Sequence, residues 1–196
     1  METVELEARF LVVSFASVVA KLKALGAPKI WSGTETVRYF DTEDGAASAA
    51  GKDLRWKFCP EYPDTSHRVQ QKTKLPDYDD GRRRAKRRGE SLNYRPTTEG
   101  EAHEVLQHLS GGKPVVETDS YRKRRHHYEF EHPTFGHISV ELDDQISALG
   151  ERRYVEIEGT IEAVDTLVSE FGFDWKDAIT IGYLSEVKAA RRAKRG

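Results

Sequence analysis

Charged residues recur along this chain in pairs spaced by two. Glu5, Glu7 and Arg9 come first, followed by Arg55 and Lys57, Lys72 and Lys74, Arg88 and Glu90, Lys123 and Arg125, Glu141 and Asp143, and Glu156 and Glu158, with Arg38 as a further cation. Lysine and arginine make charge-assisted hydrogen bonds to phosphate oxygens, arginine in bidentate fashion. Carboxylates beside them would repel phosphate. A hard divalent cation between the two sets, Mg²⁺ or Mn²⁺, satisfies both, because it takes oxygen ligands from carboxylate and phosphate alike. Gathered in one place, nine cations and seven carboxylates predict a metal-bound polyphosphate as ligand.

A spacing of two is the repeat of a β-strand, so each pair shares one face. Alternation predicts strands at the N-terminus (Val4 to Val12) and over Thr34–Phe40, Asp53–Cys59, His67–Leu75, Arg82–Leu92, Asp119–Glu131, His137–Ile146 and Arg153–Gly159, separated by Gly, Pro and Asp-rich turns. The opposite faces carry Leu54, Trp56 and Phe58, Leu142, and Tyr154, Val155 and Ile157. For any one strand, a charged face turned to solvent is the plain alternative. Eight strands doing it together predict closure into a barrel with the charges in its lumen, where they must be paired or bind charged ligands. Helical spacing predicts helices over Ser14–Leu25, stopped by Gly26; Thr98–Leu109, with Thr97 or Thr98 and Glu101 as a capping box; Thr160–Phe171; and Ile181–Ala190. The expected fold is therefore α+β: an eight-stranded antiparallel β-barrel with helices packed outside, as one domain over 1–187 and a basic tail at 188–196.

Composition narrows the function. The 196 residues hold 31 Lys plus Arg against 33 Asp plus Glu, a net charge of −2, with 37% hydrophobic residues and eight Phe, eight Tyr and three Trp. That aromatic content argues for a folded chain, and the charge balance disfavours a nucleic-acid binder. The apolar stretch Phe10 to Ala20 is too short and too interrupted to span a bilayer and has no basic region before it, so a soluble, cytoplasmic protein with no membrane partner is expected. The single Cys59 excludes an internal disulfide and reads as a packing residue. Six of the seven residues Arg82 to Arg88 are basic, which suits a solvated face or a substrate funnel better than a nucleic-acid contact. His126 and His127 are adjacent, hence on opposite faces of a strand and unsuited to joint metal coordination.

The ordered set of motifs resembles the CYTH superfamily, the triphosphate tunnel metalloenzymes, which includes class IV adenylate cyclases, thiamine triphosphatases and inorganic triphosphatases. Glu5-Leu6-Glu7-Ala8-Arg9 is similar to its N-terminal signature. The likeness continues through Tyr39-Phe40-Asp41-Thr42, Leu54-Arg55-Trp56-Lys57, Lys72-Thr73-Lys74-Leu75-Pro76, Arg88-Gly89-Glu90, Lys123-Arg124-Arg125, Glu141-Leu142-Asp143, Val155-Glu156-Ile157-Glu158 and Tyr183. The resemblance implies metal ligands among Glu5, Glu7, Glu141, Asp143, Glu156 and Glu158, and phosphate contacts from Arg9, Arg38, Arg55, Lys57, Lys72, Lys74, Arg88, Lys123 and Arg125. Catalytic parts fall to Glu5, Glu7, Glu90 and Asp143. Two departures stand out: Arg9 replaces the usual Lys, and Ile179-Thr180-Ile181-Gly182 stands where relatives often carry a Lys-Ser pair.

The expected activity is metal-dependent hydrolysis of inorganic tripolyphosphate or a nucleoside triphosphate. The alternatives are a class IV adenylate cyclase making cyclic AMP and pyrophosphate, or a non-catalytic module binding a phosphorylated nucleotide. The cyclase ranks second because only Met1 to Val4 precede Glu5, which leaves no room for an upstream His-Phe pair. A homodimer is the default assembly.

Overall fold

Alternation sends one set of side chains from each strand toward a shared interior and the other beneath the helices. The computed structural model describes residues 3–194, and the side chains of these except 3–5, 88 and 90–92. The elements run β1 (Thr3–Val12), α1 (Ala16–Ala24), β2 (Lys29–Thr42), α2 (Ala46–Ala49), β3 (Lys52–Phe58), β4 (His67–Lys74), β5 (Tyr78–Asp79), β6 (Arg84–Tyr94), α3 (Glu99–Leu109), β7 (Val115–His132), β8 (Gly136–Asp144), β9 (Arg153–Gly159), α4 (Ile161–Phe171) and α5 (Tyr183–Ala193). The architecture is α+β. One antiparallel sheet has the order β1-β9-β8-β7-β2-β3-β4-β6, with β5 added along β6. β1 pairs with β9 on one edge and with β6 on the other, so each of the eight long strands has hydrogen-bonded neighbours on both sides.

The outward faces form the core with the helices. Ala8 and Phe10 of β1, Ile138, Val140 and Leu142 of β8, and Val155 and Ile157 of β9 are buried against Val18 and Leu22 of α1 and Val164, Leu167 and Val168 of α4. A second cluster seats Ala102, Leu106 and Leu109 of α3 on Phe40, Leu54, Trp56 and Val69. Each such apolar side chain removed from water contributes about 1.5–3 kcal/mol, which offsets part of the cost of a charged interior.

Local signals set the helix ends. The Thr98 hydroxyl accepts from Glu101 N at 3.2 Å, and the Glu101 carboxylate returns to Thr97 N at 2.7 Å, a reciprocal cap on α3. The Thr160 hydroxyl caps α4 by accepting from Ala163 N, here with no returning carboxylate, and Gly172 ends it at φ 72°, a left-handed turn that glycine takes without strain.

Several expectations need correction. The sheet has nine strands where eight were expected, since the two-residue β5 gave too short an alternation to register. β2 begins at Lys29 and β7 at Val115, earlier than alternation indicated, because long mutual pairing extends both. α2 is a single turn built by Asp41, whose carboxylate accepts from the backbone N–H of Thr42 and Ala47 at 2.8 and 3.0 Å. Lys188 to Ala193 is not a frayed tail but part of α5, tied down by Arg191 to Asp119 at 2.5 Å and to the Ser120 carbonyl at 2.6 Å.

Candidate active site

The inward faces enclose a cavity of about 1020 Å³. Strand register decides what meets inside it. Glu7 lies opposite Glu158, Arg9 opposite Glu156, Glu141 opposite Glu156, and Arg125 opposite Asp143. Two of those pairs put like charges side by side, an arrangement that costs stability unless a cation sits among them.

The cation present is Arg125. Its guanidinium grips Asp143 through Nε at 2.7 Å and Nη2 at 2.6 Å, reaches Glu156 at 2.9 Å and pairs with Glu141. Lys123 Nζ adds a bond to Asp143 at 2.9 Å and stands 3.6 Å from Glu35. Oxygens of Glu141, Asp143 and Glu156 all lie within 4.8 Å of one another. This buried, oxygen-only donor set suits a hard divalent cation of the Mg²⁺ or Mn²⁺ type.

Titration reflects the crowding. Burial, then the charges of Glu7 and Asp143, push the Glu156 carboxyl up to about 8 despite Lys123 and Arg125. Burial would raise Glu141 as well, but Arg125 and His127 hold it well below the carboxylate range. For Glu7 burial is again opposed and overcome, here by Lys86, whose ammonium donates to the carboxylate, with Arg9 and Lys72 adding. Lys57 is pushed down, by burial first and by Arg125 and Lys72 next, against the pull of Glu35.

The structure brings most of the expected residues to this cavity. Glu7, Arg55, Lys57, Lys72, Lys123, Arg125, Glu141, Glu156 and Glu158 line it, and the Arg125 contacts place buried Asp143 directly behind the wall. Three expected residues stand elsewhere. Arg38 is on the outer surface, 4.8 Å over the Trp56 ring and 3.5 Å from Glu99. Lys74 is exposed at the end of β4 and lines no part of the cavity. Arg9 is wholly buried yet is likewise absent from the lining, its guanidinium 4.0 Å from the ring centroid of Tyr183, which does line the cavity. Tyr154, read as outer wall, packs inward with Tyr39, Tyr121 and Tyr183. The side chains of Glu5, Arg88 and Glu90 lie outside the described residues.

Two further residues beside the cavity are not among the expected site residues: Glu35 behind its wall, and His127, which the sequence disfavours as a joint metal ligand with His126. Glu35 is buried beside Lys123, accepts a hydrogen bond from the Tyr62 hydroxyl, and is brought down to about 2: burial opposes, but Lys57, Lys123 and Arg125 prevail. His127 lines the wall 2.6 Å from Glu129 and 3.3 Å from Glu141, stacked on Trp31 at 5.6 Å. Glu35 shares the alternation of Val37 and Tyr39 and was legible on that ground, whereas His127 acquires its partners only through folding.

No protein-family model matches the chain, and none of the curated proteins matches it. Solved structures do. A candidate adenylate cyclase from Vibrio parahaemolyticus aligns at TM-score 0.65 with 14% identity, covering 96% of this chain and 99% of that one. HpAC1 of Hippeastrum, described as a candidate adenylyl cyclase with a dominant triphosphatase activity, aligns at 0.62 with 13% identity over 96% of both chains. A protein from Pyrococcus horikoshii OT3 aligns at 0.64 with 18% identity, over 92% and 98%. These likenesses establish the fold alone: an α+β chain built on one antiparallel sheet with helices packed outside. Among the described residues no helix is long and apolar enough to cross a membrane.

Proposed function

We propose that the eight long strands form a tunnel in which a linear triphosphate is hydrolysed with the help of Mg²⁺ or Mn²⁺. The observation that carries this reading is the division of one cavity into two facing walls. Cations on β3, β4 and β6 confront carboxylates on β8 and β9. Arg55, Lys57 and Lys72 would take phosphate oxygens. Glu141, Asp143 and Glu156 would hold the ion, flanked by Glu7 and Glu158. When bound, such an ion supplies neutralisation of charge on the phosphoryl oxygens.

Lys123 and Arg125 stand at the boundary between the walls, aimed by Asp143, where a bridging phosphate oxygen can meet them. Glu7, held ionised far below its usual range, is too weak a base to strip water at neutral pH. Its part is to accept a hydrogen bond and orient the attacking water. The site then acts by positioning and by fixed charge, the terms that dominate phosphoryl transfer.

The test is incubation with tripolyphosphate, ATP and thiamine triphosphate in Mg²⁺ or Mn²⁺, followed by phosphorus NMR. Orthophosphate release that Glu141→Gln abolishes supports the reading. No release from any of the three overturns it. The likeness to the Vibrio parahaemolyticus structure favours the cyclase as second reading, which the same spectra would reveal as cyclic AMP and pyrophosphate.

A further inference from the structure

Arg9 occupies the third charged place of the N-terminal signature, but its surroundings are those of a structural clamp. Its Nη2 donates to the Ile181 carbonyl and to Glu186 Oε2, the latter at 2.6 Å. The guanidinium lies 4.0 Å from the Tyr183 ring centroid and 4.9 Å from that of Tyr154, and Glu156 stands 3.7 Å away. The backbone repeats the link, for Ile179 N donates to the Arg9 carbonyl at 2.8 Å. Glu186 is shared with β9, accepting from the Tyr154 hydroxyl at 3.0 Å.

These contacts tie the start of α5 to β1 and β9. Val187 and Tyr183 are buried at the same place against Val37, Tyr121 and Leu149. At the other end of β1, where Leu6 lies opposite Gly159, the cavity is lined by exposed residues: Asn93, His137, Thr160 and Glu162.

We infer that Arg9 is a latch and not a phosphate-binding group: it holds α5 across one end of the cavity, leaving a blind pocket that substrate enters and leaves only by the mouth at Asn93, His137 and Thr160. The choice of arginine follows from the task. Nη2 alone serves both the carbonyl and the carboxylate, which an ammonium could also do. The planar guanidinium in addition lies against the Tyr183 and Tyr154 rings, and a lysine has no flat group to stack there. Arg9 is thus a positioning residue. The inference goes beyond the proposed reaction and holds whichever triphosphate is used.

Hydrogen exchange on the full chain, with Arg9→Lys, Glu186→Gln and the double variant, tests it. The latch predicts that each single change speeds amide exchange in 184–190 by about tenfold or more, that β8 and β9 keep their protection, and that the double variant adds little to either single. Calorimetry with tripolyphosphate is the second readout, and the two single variants should alter affinity by similar factors. Unchanged exchange in α5 would overturn the latch. So would a loss of tripolyphosphate affinity of about tenfold or more in Arg9→Lys with none in Glu186→Gln, the mark of a direct phosphate contact. Exchange needs no substrate, so the latch can be judged even if the triphosphatase reading fails.

Discussion

The two walls of the cavity are charged in opposite senses and are also supported differently. On β7, β8 and β9, Lys123, Arg125, Asp143 and Glu156 are all at most 4% exposed and belong to one network of ion pairs that also takes in Glu35 and Glu141. On β3 and β4, Arg55, Lys57 and Arg68 are only half-buried. Arg55 leans on Asp53 and Arg68 on Asp64, while Lys57 has no ion-pair partner among the described residues. One wall therefore contributes to the fold in the absence of ligand. The other is held by short-range pairs within single strands and turns and carries Lys57, which makes no ion pair with a described residue. That asymmetry separates residues that shape the site from residues that bind in it.

The largest expected effect comes from breaking the self-supporting wall. Asp143→Asn leaves Lys123 and Arg125 buried without their shared counter-charge, and losing one partner of such a network costs about 3–5 kcal/mol. Guanidinium unfolding should show that loss together with loss of phosphate release. A cost under about 1 kcal/mol would mean that the two walls do not differ in this way.

Acid should act next, through Glu35. Its folded value of about 2 lies below the ordinary 4.5, so its contribution is fully present above about pH 4.5 and is lost as pH falls toward 2. The shift corresponds to about 3 kcal/mol at this buried site. Unfolding measured from pH 6 down to 2 should show the decline, and Glu35→Gln should flatten it. An equal slope in the variant would remove Glu35 from the supporting set.

The binding wall should behave in the opposite way. Burial and the like charges of Arg125 and Lys72 outweigh the pull of Glu35 on Lys57. Lys57→Ala should therefore cost much less stability than Asp143→Asn, the loss being the part of the Glu35 charge that Lys57 offsets. Tripolyphosphate affinity should fall about tenfold to a hundredfold, the scale of a charged hydrogen bond. Calorimetry and unfolding on the same variant sharpen the contrast: a stability loss like that of Asp143→Asn would merge the two walls.

Much of this was legible in the sequence because period-two alternation fixes a face without knowledge of the partner strand. That logic correctly grouped Lys123 with Arg125 and Glu141 with Asp143. It fails where residue type is used in place of phase. Arg38 is charged, but in β2 the inward phase belongs to Glu35, Val37 and Tyr39, so charge pointed to the wrong side. Arg9 has the right phase but the wrong depth, because α5 closes over it and contacts between residues 172 and 177 positions apart leave no local signal.

The smallest effect belongs to that misassigned arginine, and its smallness is informative. Arg38 lies opposite Trp56 in the β2–β3 register, and Trp56 is buried beneath α3, so the pairing itself sets Arg38 on the outer surface. Its ion pairs, 3.5 Å to Glu99 and 3.9 Å to Glu117, are long and open to solvent, where such pairs contribute about 0–1 kcal/mol. Its stacking over Trp56 at 4.8 Å adds a contribution of about 0.5–1 kcal/mol at an exposed site. Arg38→Ala should therefore lower stability by about 1 kcal/mol and leave tripolyphosphate affinity and phosphate release where they were. Arg38→Lys should restore part of the stability, since a lysine stem can still cover the indole. A drop in affinity in Arg38→Ala matching that of Lys57→Ala would mean that the outer face communicates with the cavity and that strand phase does not decide which cations bind.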